Sequence, residues 1–398
     1  MEKTPKPKIR WWRYIGYLII CIIIFDLVNR TVFYFRYTSP KAARDSRQDL
    51  SVFKNVDWTE EYFQEFKKLG YTYESYLGWK CKAFKGKFFN VSSEGVRKTS
   101  NPNGLDKSKA KLVYCFGGSV LWGMGARDDY TVPSLISKLL NKDEEQYYVI
   151  NYGQPGYSSF QEVIYLISLI KDKQVPDYVL FFDGINDIHS AYVNNKAGES
   201  ADLAEKREKL KYEIDIKSNR DYLKKFIQGY IDARINAYTF TRRLRQKWRE
   251  WRQSDVEESL KIRTLEDPDR DDQQVLSLAN SVVDNYFNVT DIVRGLSAVY
   301  GFKVAFFWQP MTGTNISSSE EEVKMTSQVT KKRLEFNQLA YKIIEGKKNQ
   351  KGFYDLQKIF LSKDKNTTVF IDYAHLSELG NGMIAEKIVD VLKSKMTK

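Results

Sequence analysis

The chain has 398 residues, of which 42% are hydrophobic and 14% are aromatic. This composition supplies a packed core and excludes a wholly disordered protein, and the length suits one large domain with additions or two modest ones. The 63 Lys and Arg residues exceed the 51 Asp and Glu residues by 12, a surplus compatible with nucleic acid, an anionic membrane surface or a solvated basic face. Three cysteines and two histidines exclude a disulfide framework and leave little for a zinc site. At most Cys81 and Cys115 could pair, and no metal or other cofactor is expected.

The amino-terminal segment contains an apolar run at residues 11–28, "WWRYIGYLIICIIIFDLV". As a helix it would span roughly 27 Å, just enough for the hydrocarbon core of a bilayer, and aromatic residues flank both ends. No small-residue cleavage site follows, which argues against a secretory signal peptide, whereas a short buried helix interrupted by Asp26 stays an alternative. We predict a cytoplasmic tail and transmembrane anchor over residues 1–36. Lys and Arg residues are equally numerous on the two sides, so the expected orientation, with the following domain periplasmic or extracellular, rests on the usual behaviour of such anchors.

The chain after the anchor changes character at Lys111. Residues 37–110 are predicted to form a linker and an amino-terminal extension. Beyond them, "KLVYCF", "YYVIN", "DYVLFF" and "KVAFFW" are short apolar runs typical of strands buried on both faces. Amphipathic stretches separate them, and a further one ends the chain. This alternation predicts a parallel α/β sheet over residues 111–398.

A charged insertion at residues 190–276 interrupts the alternation between the third and fourth predicted strands. Basic residues predominate near Trp248 and Trp251. A solvated helix pair, a lid over the site and a patch resting on anionic lipid are all compatible with this pattern. No recognised nucleic-acid-binding module is present, so nucleic acid is not expected as a partner.

Five residues fall where the predicted strands end, or just before the last helix. Ser119 follows two glycines after the first strand, Gly156 follows the second, and Asn186 follows the third; Asp372 and His375 precede the terminal helix. Functional residues of parallel sheets gather at the carboxyl ends of the strands, so we expect these five to meet.

That set of side chains is what acyl transfer requires. His375 would take the proton of the Ser119 hydroxyl, and Asp372 would orient the imidazole and stabilise the imidazolium. The negative oxygen of the tetrahedral intermediate needs hydrogen-bond donors, which the Ser119 and Gly156 N–H groups and the Asn186 amide would supply. Each element alone is more often structural than catalytic, and the combination in this order carries the hypothesis.

These segments resemble the four sequence blocks of the SGNH/GDSL hydrolases: "FGGSVLWGMG", "NYGQPGYSS", "DGINDI" and "DYAHLSELG". The resemblance covers roughly residues 111–398 and looks closest to membrane-anchored bacterial members with a Gly-Gly-Ser block, often found near surface-polysaccharide genes. It implies a flavodoxin-like three-layer α/β/α fold and a metal-free serine esterase, lipase or O-acyltransferase. The expected substrate is an O-acyl ester of a glycan or lipid, with acetyl as the expected acyl group.

One departure from the family pattern concerns the residue before the serine. The family more usually has Asp there, whereas this chain has Gly118, so the side chain that braces the serine turn is missing. The alternative is therefore a catalytically inactive module that binds a glycan or scaffolds an assembly. His189 fits no family block and is expected at the surface or on a pocket rim.

Overall fold

A computed structural model describes residues 45–54, 56–142, 146–200, 270–314 and 318–396, together with scattered helical positions between 14 and 28. Within these described residues no helix is long and apolar enough to cross a membrane. Much of the predicted anchor at 11–28, and residues 201–269 of the predicted insertion, lie outside the described residues. Anchoring, orientation, the insertion and the division at residues 36 and 110 stay predictions. Asp45–Ala204 and Leu265–Lys398 together form one compact unit.

A five-stranded parallel sheet forms the centre of this unit. Its strands are β5 (Lys111–Gly117), β6 (Tyr147–Asn151), β7 (Tyr178–Asp183), β8 (Lys303–Trp308) and β9 (Phe353–Asp355). The four apolar runs form the first four of these strands, as predicted, and β9 follows them. The spatial order is β6-β5-β7-β8-β9. Numbered along the chain, this order reads 2-1-3-4-5, the flavodoxin-like arrangement, whose topological switch point lies between the first and third strands.

Helices cover both faces of the sheet, because alternate side chains of each buried strand point to opposite sides. Tyr114 and Phe116 of β5 face one apolar layer, and Val113 and Cys115 face the other. The result is three layers, α/β/α. The first layer contains α4 (Ser159–Lys171), α5 (Ile185–Asn194), α6 (Asp272–Tyr300) and α8 (Lys331–Glu345), and the second contains α3 (Val132–Leu140) and α9 (Glu378–Met396). Two short helices, α2 (Ser119–Trp122) and α7 (Glu320–Thr326), follow β5 and β8.

Residues 45–97 pack beside the carboxyl end of β5. They form α1 (Thr59–Phe66) and two antiparallel pairs, β1 (Tyr71–Glu74) with β2 (Gly78–Cys81), and β3 (Phe84–Lys85) with β4 (Asn90–Val91). An apolar cluster that includes Phe53, Tyr62 and Phe63 from this segment also contains Trp122 and Ile371, which belong to the rest of the unit. Cys81 and Cys115 are both free and buried, so the disulfide that the sequence permitted is not formed.

Candidate active site

Ser119 begins α2 directly after β5, at the carboxyl edge of the sheet beside the switch point. The backbone turns sharply at two glycines. A Cβ on Gly117 would lie 2.6 Å from the Leu121 Cβ and 2.7 Å from the Phe182 carbonyl oxygen. Gly123, in the left-handed conformation, ends the helix after one turn. Ser119 is therefore held on a tight strand-to-helix turn and remains 8% exposed.

The crowding around position 118 accounts for a glycine where the Gly-Asp-Ser block more usually has an aspartate. A Cβ at this position would lie only 2.1 Å from the Asn186 Nδ2 atom and 3.3 Å from its Cγ atom. The Asn186 amide therefore occupies the space into which a side chain at position 118 would project. A residue with a side chain at position 118 would therefore displace this amide, whereas glycine leaves it in place.

Ser119, His375 and Asp372 form a continuous chain of hydrogen bonds. The Ser119 Oγ atom lies 2.7 Å from the His375 Nε2 atom, although the two residues are 256 positions apart. The opposite ring nitrogen, Nδ1, lies 2.7 and 2.8 Å from the two carboxylate oxygens of Asp372. The structure thus brings together the three side chains that the sequence nominated, in the order nucleophile, base, carboxylate.

Asp372 is held as a carboxylate. Its burial alone raises its pKa, but the charge of the His375 ring and the hydrogen bonds that the carboxylate accepts outweigh this effect and lower the pKa well below the ordinary value. Two of these bonds come from backbone N–H groups, of Ala374 at 3.0 Å and of His375 at 2.8 Å. The Arg47 guanidinium lies 3.5 Å from the same carboxylate. Asp372 consequently keeps the negative charge that stabilises a protonated imidazole.

The predicted oxyanion donors are Asn186, Gly156 and Ser119 itself. Asn186 lies in the first turn of α5, and its Nδ2 atom donates one hydrogen to the Tyr157 carbonyl at 2.8 Å, which leaves the second hydrogen of that nitrogen for a ligand. Gly156 adopts φ +83°, a conformation that favours glycine, next to Tyr157. Within the described part of the chain, neither the Gly156 N–H nor the Ser119 N–H donates a backbone hydrogen bond. The Asn186 amide thus lies beside the Ser119 turn and bonds the residue after Gly156, and the arrangement of the three groups as an oxyanion hole is a prediction.

Further hydrogen bonds connect the first residue of α4 to α5. The Asp187 carboxylate accepts bonds from the Ser159 hydroxyl at 2.6 Å and from the Ser159 N–H at 3.2 Å. Burial raises the pKa of Asp187 to about 6, while the Ser159 bonds act in the opposite direction. Because Ser159 follows Gly156 closely and Asp187 follows Asn186, these bonds connect the two segments that carry the predicted oxyanion donors.

Glu162 and Asp183 lie deeper in the same region as a buried carboxyl pair. Their oxygens have no other hydrogen-bond partner within the described residues. Burial raises the pKa of Asp183 to about 8, against the hydrogen bond with Glu162, and burial together with the charge of Asp183 raises the pKa of Glu162 well above its ordinary value. Because burial raises the pKa of both carboxyl groups, this pair retains protons at neutral pH that a solvated pair would release.

Two further residues near the site were not identified from the sequence. Arg47 lies in the predicted linker, and a two-pronged contact with Asp45 at 2.8 and 3.0 Å fixes it beside Asp372. Trp79 donates to the Pro155 carbonyl at 3.0 Å, and its ring lies 3.3 Å from where a Gly156 Cβ would be. For Trp79, the sequence feature that could have indicated a place at the site is its large aromatic side chain. For Arg47, the neighbouring sequence contains no feature that indicates such a place.

No protein-family model and no curated protein matches the chain. Solved structures similar to it include an acetyl xylan esterase, with 15% identity, a TM-score of 0.36, and 70% of this chain and 98% of that chain covered. A lipolytic G-D-S-L family member from Veillonella parvula has 12% identity and a TM-score of 0.35, with 71% of this chain and 99% of that chain covered. A lipase/acylhydrolase from Enterococcus faecalis has 12% identity and a TM-score of 0.35, with 72% and 96% covered. These three neighbours are an esterase, a lipolytic protein and a lipase/acylhydrolase.

Proposed function

We propose that the protein is a serine esterase or O-acyltransferase that acts on O-acyl esters through Ser119, His375 and Asp372. The observation that carries the proposal is the 2.7 Å contact between the Ser119 Oγ and His375 Nε2 atoms, continued to Asp372 through Nδ1. A serine hydroxyl is a weak nucleophile unless a base in hydrogen-bond contact takes its proton, and this geometry provides that base. The alternative is a catalytically inactive module, whose serine an activated-serine probe would leave unlabelled.

In the proposed reaction, the Ser119 Oγ atom attacks the ester carbonyl carbon while His375 Nε2 accepts the hydroxyl proton. The Asp372 carboxylate accepts the Nδ1–H bond and stabilises the imidazolium. The carbonyl oxygen becomes an oxyanion, which accepts hydrogen bonds from the Ser119 and Gly156 N–H groups and from the Asn186 amide. Collapse breaks the bond to the alcohol oxygen, and this oxygen takes the proton from His375. Water or a sugar hydroxyl then attacks the acyl-serine by the same steps in reverse.

The proposed substrate is an O-acyl ester, most simply an acetyl ester, of a glycan or lipid. Trp79 supports a sugar, since a half-buried indole beside Gly156 offers a flat apolar face next to the reacting carbonyl. We place the protein at a membrane through residues 11–28, with its amino terminus in the cytoplasm and the hydrolase unit in the periplasm or outside the cell. The apolar run with aromatic flanks supports this part of the proposal.

A fluorophosphonate probe tests the proposal, because it forms a covalent bond only with an activated serine. We expect wild-type protein to be labelled and to turn over p-nitrophenyl acetate, and Ser119→Ala and His375→Ala each to abolish both. The double variant should be hardly slower than either single variant, because the two residues act as one unit. Labelling that persists in a folded Ser119→Ala variant would identify a different nucleophile and refute the assignment.

A further inference from the structure

An arginine on α8 lies beside the proposed site without serving the reaction described above. The Arg333 Nη2 atom lies 3.1 Å from the Tyr373 hydroxyl, and the guanidinium is 5.3 Å from the centre of that ring. Tyr373 directly follows Asp372, and its carbonyl accepts a 3.0 Å bond from the Thr312 N–H group. Arg333 is thereby connected to the segment that carries Asp372 and His375.

Helix packing brings Arg333 close to the helix that carries Asn186 as well. Tyr192 of α5 contacts Phe336 of α8, with ring centres 5.3 Å apart. Both helices run antiparallel to the strands, so their amino-terminal ends lie at the carboxyl edge of the sheet. One turn towards that edge, Tyr192 is preceded by His189 on α5, and Phe336 is preceded by Arg333 on α8. His189 lies three residues after Asn186 on the same helical face, where Cβ atoms are about 5–6 Å apart. Arg333 therefore lies at about the level of His189, one helical turn along α5 from Asn186.

The charge of Arg333 is not neutralised within the described residues. No carboxylate there forms an ion pair with it, and its Nε atom is buried without a hydrogen-bond partner. Its position in the first turn of α8, where no acidic residue is present, places the cation at the positive end of the helix dipole, which disfavours it. Burial, and secondly the Arg333 charge, lower the pKa of His189 to about 4, so His189 is a neutral polar neighbour at pH 7. Arg333 contacts Tyr373 but has no carboxylate partner within the described residues, and an anionic ligand would supply one.

We propose that Arg333 binds an anionic group of the ester substrate, with His189 and Tyr373 as polar flanks of the same subsite. The substrate class is then an O-acyl ester that carries a carboxylate or a phosphate within about one sugar unit of the scissile carbonyl, such as a uronic acid or a phosphorylated glycan or lipid. This inference rests on the proposed esterase function. It assigns Arg333 a role in specificity and leaves the proton transfers to Ser119 and His375.

The test compares matched small esters that differ in charge. The neutral ester is 4-acetoxybenzamide, and the anionic ones are 4-acetoxybenzoate and 4-acetoxyphenyl phosphate, which separate the carboxylate source from the phosphate source. For each protein the measured quantity is the ratio of kcat/KM for the anionic ester to kcat/KM for the neutral one. Intrinsic differences in ester reactivity cancel when this ratio is compared between variants.

We expect Arg333→Gln to lower the ratio by about 10–100-fold for at least one anion, as for loss of one charged hydrogen bond, and Arg333→Lys to lower it less. The matched control is Lys332→Gln, which removes an exposed charge from the adjacent position and should leave the ratio unchanged. A folded Arg333→Gln variant with the wild-type ratio overturns the inference while the esterase function stands. Wild-type protein that cleaves none of the esters and resists the fluorophosphonate overturns both.

A measurement on wild-type protein covers the case in which Arg333→Gln does not fold. Benzoate or phenyl phosphate should inhibit turnover of 4-acetoxybenzamide competitively and more strongly than benzamide does, and raised salt should weaken this inhibition. Equal inhibition by the charged and neutral compounds would overturn the inference.

Discussion

Replacement of Gly118 by alanine adds one methyl group at the most crowded point beside the candidate nucleophile. The new Cβ would lie 2.1 Å from the Asn186 Nδ2 atom, whereas non-bonded atoms of this kind settle at about 3.5 Å. The amide must therefore move by about 1 Å or more, and its 2.8 Å bond to the Tyr157 carbonyl is lost. Removal of one oxyanion donor slows kcat by about 10²–10³-fold, and overpacking of this size costs about 1–3 kcal/mol of unfolding free energy.

The assay is kcat on p-nitrophenyl acetate, together with a urea unfolding curve for each variant. Gly295→Ala is the matched control: Gly295 lies within α6 with nothing within 4 Å of its added Cβ, so turnover should be unchanged and stability equal or slightly higher. The double variant Gly118→Ala/Asn186→Ala removes the collision, so it should recover stability and be no slower than Asn186→Ala alone. Wild-type kcat in Gly118→Ala would refute the steric argument, and wild-type kcat in Asn186→Ala would refute the role of Asn186.

Two further predictions concern charged groups around the site. The raised pKa of Asp183 means that the folded protein holds a proton that the unfolded chain releases, so the unfolding free energy should fall as the pH rises from about 4 to about 8, by a few kcal/mol in order of magnitude. Asp183→Asn should flatten this decline and be more stable than wild type at pH 9 in urea unfolding; an equally steep decline would contradict the raised pKa of Asp183. Arg47→Met removes a partly exposed cation 3.5 Å from Asp372 and should lower kcat/KM for p-nitrophenyl acetate about 2–5-fold, with Arg47→Lys closer to wild type. A hundredfold loss in a folded Arg47→Met variant would mean that the arginine contacts the reacting groups.

The sheet was predictable from the sequence wherever a strand is long enough to show a pattern. The runs at β5 to β8 are nearly continuous apolar segments because both faces of those strands are buried, whereas β9 has three residues, Phe353–Asp355, and is too short to be distinguished from a loop. The order of motifs along the chain was enough to nominate Ser119, Asn186 and His375.

Contacts between distant segments were not predictable. Carboxylates are usually solvated, so nothing in the sequence indicates that Glu162 and Asp183 meet inside the core. The role of Gly118 depends on an amide from another helix, and only the three-dimensional structure shows why a residue that departs from the family pattern fits this site.

The apolar cluster that joins Phe53, Tyr62 and Phe63 to Trp122 and Ile371 determines where the compact unit can be cut for transfer into another protein. A fragment that starts at Lys111, the first residue of β5, would contain every residue of the proposed triad. It would nevertheless lack the side chains that cover Trp122, the Trp79 ring beside Gly156 and the cation beside Asp372. The smallest fragment that keeps the whole site therefore begins near Asp45. A fragment reduced to the sheet and its helices would contain the triad but lack the residues that pack around it.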